Sequence, residues 1–477
     1  MSRLSRNQKL VVVLMGVADL IVMLLLCVAV VFSLQTLPQT QGQAAAPKTG
    51  AISIASRTPI PTWTPEPTAT PYVRLTATLK PLRDEDAAVL DQVEWDVATL
   101  RGLRPQYSVA RWKISTLEMR RRFVDTFLGE DAVEEARAQV LVLSTLDFMS
   151  PSVDLLKLWE EGFAEGIAGF YLPETEEIYI ISNDYAVGAL ERVIYAHEFG
   201  HALQDQHFDL ETLGLDVTGG LESTDRLLGI KGLVEGDASL IEEQYVYEHF
   251  TLADAVEVLN KIPRGIYLSD QSEPVPLVLG ELSAFPYVSG REFVGSLYDR
   301  GGWLAVDAAF ANPPVSTEHI MHPERYLAGD QPVPVASIPL TDTLGSGWRL
   351  IYDDTGGELL LGLYLENHLS AARASAAAGG WGGDRCVVYY SETTEEKVLV
   401  WIIVWDTLAD ADEFFSAYRD YADDRFDHAA DETTADGWTC WSGYDALCVI
   451  QEGSTITLVI GPDRATVDRV RAVISPE

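Results

Sequence analysis

Two histidines four residues apart, His197 and His201, flank a glutamate at 198 in the run Ala189-Leu-Glu-Arg-Val-Ile-Tyr-Ala-His-Glu-Phe-Gly-His-Ala-Leu-Gln-Asp205. On a helix, residues four apart lie one above the other, so both imidazoles can address a single divalent ion. Glu198 is turned to the side, where it can take a proton from a metal-activated water rather than share the ion. The chemistry this HExxH spacing allows is therefore hydrolysis by an activated water on zinc. Leu190, Val193, Ile194, His197 and His201 recur at three- and four-residue intervals, so the histidines continue an apolar stripe and face inward. A buried imidazole needs a hydrogen-bond partner or a metal. The plainer reading is a pair of satisfied core histidines; the adjacent glutamate favours zinc.

A catalytic zinc takes three protein ligands and leaves one position for water. Two residues compete for the third place. His207 completes a one, five, eleven spacing with His197 and His201, as in the metzincins, but that pattern needs a glycine three residues after the second histidine, and Gln204 stands there. Glu235 lies on the margin of a second helical stripe formed by Val234, Ala238, Ile241 and Tyr245, and Gly232, Gly236 and Ala238 would let that helix approach another closely. The run Leu233-Val-Glu-Gly-Asp-Ala238 resembles the Glu-Gly-x-Ala that carries the third ligand in many gluzincins of the MA-type superfamily. The resemblance covers roughly residues 167–245. It implies a zincin-like fold and a zinc metallopeptidase, with His197, His201 and Glu235 on the metal (His207 as the alternative third ligand) and Glu198 as general base. In such enzymes an edge strand before the metal-binding helix receives extended substrate; residues 167–172 and 177–181, rich in β-branched and aromatic side chains around a turn at Pro173-Glu-Thr175, supply two candidate strands.

Other features of the site are less defined by spacing. Gluzincins often place an acidic residue one turn after the glutamate ligand to orient a histidine, and here that residue is Ser239. Asp237, two residues on, turns by about 200° and is expected to point away from the metal. Asp205, Glu242 or a backbone carbonyl would do the orienting instead. Downstream, Ser316 can cap a short helix that Pro323 ends, leaving His319 and His322 on one face. His322 or Tyr326 could stabilise a developing oxyanion, or the stretch is a capped surface turn with solvated histidines. Met321 is not read as a metzincin Met-turn, given Gln204.

The elements that must position these residues follow from composition. The chain has 477 residues, 47% hydrophobic, enough for two or three packed domains. Its formal charge of −38 excludes nucleic acid and anionic membrane surfaces as electrostatic partners. Residues 10–32 form an apolar run after Arg3, Arg6 and Lys9, interrupted by Asp19, and read as a single-pass membrane anchor with the remainder outside the cytoplasm. No small-x-small cleavage site follows directly, and Leu26 before Cys27 does not fit a lipobox. Residues 1–36 are thus the cytoplasmic tip and anchor, and the Pro- and Thr-rich residues 37–81 a stalk. Residues 82–340 would form a mostly helical zincin-like domain with a small sheet, in which residues 84–151 are scaffold helices; a Ser115-Thr-Leu-Glu118 capping box opens one of them. Residues 341–477 would form a second α+β domain: helices over 357–378, 410–421 and 464–473, strands over 397–405 and 455–460. Its role is binding, regulation or scaffold. Cys440 and Cys448 flank a hairpin a disulfide could close outside the cell, with Cys386 left over. The expected function is a membrane-anchored extracytoplasmic zinc metalloprotease acting on peptide or protein substrates. Its rival is a non-catalytic binding protein that keeps the zincin fold.

Overall fold

The computed structural model describes residues 82–119, 130–159, 168–184, 186–215, 224–261 and 276–474. The expected anchor and stalk lie outside these residues, and among the described residues no helix is long and apolar enough to cross a membrane. The chain is α+β. In order, the first part comprises α1 (Asp84–Arg101), β1 (Ala110–Ile114), α2 (Glu130–Thr145), β2 (Gly169–Leu172), β3 (Glu177–Ile181), α3 (Ala189–Phe208), α4 (Thr224–His249), α5 (Leu252–Lys261), α6 (Leu277–Gly301), α7 (Trp303–Ala311) and two short helices, α8 (Thr317–Met321) and α9 (Pro323–Ala328).

Strand order β1-β3-β2 leaves β2 at an edge, antiparallel to β3, beside which β1 runs parallel. The strand β1 falls within a stretch that reads as helical by sequence; Trp112 and Ile114 on it pack with Tyr179 and Met119 in a small cluster under α2. At the start of α3, Glu191 accepts from the Gly188 backbone N–H, the Ser182 hydroxyl and the Lys261 ammonium. One carboxylate thereby fixes the end of β3, the first turn of α3 and the end of α5.

Helices α3 and α4 form the centre of this part. From Leu227 to Glu242 every residue of α4 is buried, polar ones included, as expected of a helix surrounded by others rather than lying on a surface. Small residues let its neighbours come close, and the task is divided. A Cβ on Gly236 would stand 2.2 Å from the Gly290 carbonyl oxygen, so α4 meets α6 backbone to backbone. Ala238 instead meets Gly200 of α3, at 3.6–3.7 Å from where a Cβ there would be. Around them, Leu90, Val93 and Val97 of α1, Ile178 and Ile180 of β3, Tyr195 and Phe199 of α3 and Ile241 of α4 form one apolar cluster.

The second part is built on a seven-stranded sheet of order β4-β5-β6-β10-β9-β8-β7. Its strands are β4 (Trp348–Asp354), β5 (Trp381–Ser391), β6 (Lys397–Trp405), β7 (Glu432–Thr433), β8 (Thr439–Ser442), β9 (Ala446–Glu452) and β10 (Thr455–Gly461). Between β4 and β5 lie α10 (Gly357–Glu366) and α11 (Ala371–Ala378); α12 (Leu408–Phe426) follows β6, and α13 (Arg464–Ile474) follows β10. The single helix expected over residues 357–378 is therefore two: Asn367 ends the first, and Ser370, in extended backbone, precedes the second. Alternation along the strands separates two cores. Val388, Trp401 and Leu458 face α10–α12 together with Val142 and Leu146 from the first part, while Val387, Val400 and Val459 face α13. Cys440 and Cys448, directly opposite on β8 and β9, are joined as a disulfide, and Cys386 is a buried free thiol.

The two parts meet at the N-terminal end of α4. Asp225, 1% exposed, accepts from the backbone N–H and hydroxyl of Thr317 at 2.9 and 2.5 Å and lies against Gly357, where a Cβ would clash with it. Burial, opposed by the Thr317 hydrogen bonds and reinforced by Asp384 and Asp354, pushes its carboxyl up to about 8. The folded state keeps a proton there that an unfolded chain releases from about pH 4, so this group lowers stability progressively as pH rises from about 4 to about 8. Asp225→Asn, which retains the acceptor oxygen, is expected to gain on the order of 3 kcal/mol relative to the parent above about pH 8 and nothing at about pH 4. Denaturant unfolding at the two pH values measures it.

Candidate metal centre

The histidines of α3 and the glutamate of α4 converge on one point. His197 Nε2 and His201 Nε2 are 3.1 Å apart, and Glu235 Oε2 lies 3.3 and 3.2 Å from them. One ligand atom from each of the three buried residues falls within 4.8 Å of the others, a set that could hold a metal ion. The donor chemistry fits a divalent ion: two imidazole nitrogens that face each other and the Glu235 carboxylate, whose buried Oε1 has no hydrogen-bond partner among the described residues. The electrostatics agree with such a site. Burial pushes the Glu235 carboxyl up, but His201 and His197 together hold it far below the ordinary carboxylate range. Burial pushes His201 down, yet the Glu235 charge raises it overall.

Each imidazole is also held from behind. His197 Nδ1 lies 3.2 Å from Glu242 Oε2, two turns beyond Glu235 on the same helix. His201 Nδ1 is 2.9 Å from Gln204 Oε1, and the Gln204 amide donates to the Val234 carbonyl at 2.9 Å and to Asp237 Oδ2 at 2.8 Å. Asp237 in turn accepts from Arg101 Nε at 2.9 Å, and that guanidinium lies 4.5 Å over the Trp303 ring. Asp237 is thus not turned away from the site as its helical position suggests: it reaches His201 through Gln204, whose side chain crosses the gap between the two helices. Gln204 keeps α3 helical to Phe208 and is itself the orienting group. Asp205 does not serve the histidines; it accepts from the Tyr171 hydroxyl at 2.8 Å and ties β2 to α3.

Glu198 sits under the edge strand. The Tyr171 backbone N–H hydrogen-bonds its carboxylate; burial pushes that carboxyl up, His197 and His201 pull it down, and the net shift is upward. A side chain at Gly169 would come within 2.5 Å of Ile194 and 3.2 Å of Glu198, so a glycine is needed for β2 to lie across this turn of α3.

Among similar proteins, one family model, a domain of unknown function (DUF8575), matches residues 349–471, the greater part of the second sheet domain. No curated protein and no solved structure matches the chain.

The other sequence candidates have partners elsewhere. His207 is exposed, with Nε2 2.8 Å from the Arg104 carbonyl, and does not join the cluster. His319 Nε2 is 2.9 Å from the Asp330 carbonyl. His322 Nε2 is 2.9 Å from Glu358 of α10, and the Tyr326 hydroxyl donates to the Asn312 carbonyl at 2.9 Å. The His322 imidazole is therefore committed to the junction with the second domain, and the Tyr326 hydroxyl to a carbonyl of the first part. An aromatic ring beside the centre is that of Tyr287 of α6, 2% exposed, its centroid 6.1 Å from that of His197 with planes 27° apart. Its one sequence signal is Pro286 beside it inside a helix.

Proposed function

We propose that the chain is a membrane-anchored, outward-facing zinc metallopeptidase of the gluzincin type, with His197, His201 and Glu235 as metal ligands and Glu198 as general base. The observation that carries this reading is Glu198 itself. It is a buried carboxylate, 4% exposed, placed beside a three-donor set and under an edge strand. A metal held only for structure has no use for a proton acceptor at that position. When bound, zinc supplies Lewis acidity, bringing the pKa of a water to about 7 and polarising a carbonyl oxygen. The edge of β2, unpaired among the described residues, would take a peptide as an added strand, laying the scissile bond across Glu198. Glu198 removes the water's proton and delivers it to the leaving amine. Glu242 and the Gln204–Asp237–Arg101 chain keep the two imidazoles aimed at the ion.

The test is to measure the metal content of the purified full-length chain together with its cleavage of a peptide library, before and after chelation and after zinc is restored. Zinc near one equivalent with chelator-sensitive cleavage supports the proposal. Zinc without cleavage favours a binding protein, and a chain that takes up no zinc ends the reading. Tyr287 is the candidate donor to the developing oxyanion. Tyr287→Phe is expected to lower kcat by about 10²-fold with little change in KM, the usual cost of one such donor. Tyr326→Phe, whose hydroxyl is bound elsewhere, is not expected to show this loss in steady-state kinetics.

A further inference from the structure

The groups behind His201 form a chain with a direction. At its far end the Arg101 guanidinium, on α1, can only donate: Nε is 2.9 Å from Asp237 Oδ1, and one terminal nitrogen lies 2.7 Å from Asp307. Asp237, paired with that guanidinium, only accepts, and its Oδ2 takes a hydrogen from the Gln204 amide 2.8 Å away. The Val234 carbonyl, which also only accepts, takes the other amide hydrogen at 2.9 Å. Both hydrogens are thus spent on α4, and the end of Gln204 turned to His201 is its oxygen, 2.9 Å from Nδ1. An oxygen there requires the imidazole proton on Nδ1. The nitrogen left with a lone pair is Nε2, the one that faces His197 Nε2 and Glu235 Oε2.

Burial makes the direction binding. Gln204 and Asp237 are 0% exposed and Arg101 1%, so bulk solvent does not offer the amide another partner. The two imidazoles differ in this respect. His197 Nδ1 lies 3.2 Å from the Glu242 carboxylate, which accepts whichever way it turns. Behind His201 stands an amide, with a donor at one end and an acceptor at the other, and its orientation has to come from its neighbours.

We propose that Asp237 is a positioning residue for His201: by holding the donor end of Gln204 on α4, it places the imidazole proton on Nδ1 and leaves Nε2 free for the metal. This rests on the metal set of the metallopeptidase reading above, but where the proton sits is a property of the metal-free chain and is read without zinc. Asp237→Asn changes one acceptor atom into a donor. Arg101 keeps the asparagine oxygen, the new NH2 faces Gln204, and the glutamine turns over to meet it. Its own NH2 then faces Nδ1, so the His201 proton moves to Nε2, where Glu235 Oε2 accepts it. Arg101→Met together with Asp237→Leu removes the pair instead. The Val234 carbonyl still holds the Gln204 NH2, so the proton stays on Nδ1, and exchange of a buried ion pair for apolar side chains is often neutral or stabilising.

Nitrogen NMR of the full-length, histidine-labelled, metal-free chain, at a pH alkaline enough to leave the imidazoles neutral, tells the tautomers apart by the shifts of the two ring nitrogens. Zinc affinity is measured on the same chains by competition with a chelator. The expected result is Nδ1–H in the parent, and Nε2–H in Asp237→Asn with zinc affinity lower by about 10- to 100-fold, the range for a group that orients a metal ligand. The double variant should show Nδ1–H and an affinity close to the parent's. A single amide then costs more than loss of the whole pair, an order that a merely structural role for the pair would reverse. Should Asp237→Asn not fold, Gln204→Met, which removes the acceptor at Nδ1, carries the same expected transfer of the proton to Nε2. Nδ1–H retained in these single variants, or zinc affinity unchanged once the proton has moved, overturns the proposal. Tautomers that behave as expected in a chain that takes up no zinc support the proton placement and end the metallopeptidase reading alone.

Discussion

Glu198→Gln is expected to keep full zinc stoichiometry and lower peptide cleavage by about 10⁴-fold, the upper end of what a positioned general base contributes. Separation of the two readouts follows from the geometry. The metal set is His197, His201 and Glu235. Glu198 lies apart from it, under the Tyr171 backbone N–H, which hydrogen-bonds its carboxylate. The amide oxygen of glutamine can still accept from Tyr171, so β2 should keep its place across the helix, yet glutamine cannot take a proton from water. The fall should appear in kcat rather than KM, because Glu198 acts in the transition state and does not define the strand edge that holds the peptide. Metal analysis beside steady-state kinetics on the same preparation decides the matter. Equal cleavage by both chains would remove Glu198 from the mechanism, and zinc loss would make it a ligand.

The parts of this centre that the sequence displays are those encoded by spacing along one helix. His197 and His201 share a face because they are four residues apart, and Glu235 declares itself through the small residues around it. What the sequence hides depends on how α3 and α4 lie against each other. Asp237, judged along its own helix, is turned away from Glu235; the Gln204 side chain then bridges from His201 to Asp237 across the interhelical gap. Tyr287 was illegible for a similar reason. It belongs to a long helix interrupted by Pro286 and seated on α4 through Gly290, a contact between segments more than 50 residues apart. His322 and Tyr326 looked catalytic because polar residues are dense there, but His322 serves a junction, with Glu358 on the opposite side, and the Tyr326 hydroxyl closes a local bond to the Asn312 carbonyl. In the second domain, strands with β-branched runs such as Lys397–Trp405 are apparent from sequence. Trp381–Ser391 is not, since it opens on glycines and is secured by Asp384, which accepts from the indoles of Trp381 and Trp401 and from the backbone of Gly356 and Gly357.

Glu235→Ala is expected to lose zinc affinity by well over about 100-fold, since even an orienting partner of a ligand is worth about 10- to 100-fold, while His207→Ala should bind zinc as the parent does. The contrast follows from where the two side chains are. Glu235 is 1% exposed with both imidazoles at hydrogen-bond distance, whereas the exposed His207 is held by the Arg104 carbonyl. The alanine change has a second consequence that the histidine change lacks. In the metal-free protein Glu235 is the carboxylate that faces His201 and acts on Lys231, so its removal leaves buried basic groups unopposed. Breaking a buried pair from one side costs about 3–5 kcal/mol, so the metal-free alanine variant should unfold at distinctly lower denaturant than the metal-free parent. Glu235→Gln separates the two effects: it keeps the shape and one acceptor oxygen, and should recover part of that stability without recovering the metal. Competition titration with a zinc chelator, run beside urea unfolding of the metal-free chains, measures both. Retention of zinc by Glu235→Ala together with its loss in His207→Ala would transfer the third ligand to His207 and require α3 to end earlier than Phe208.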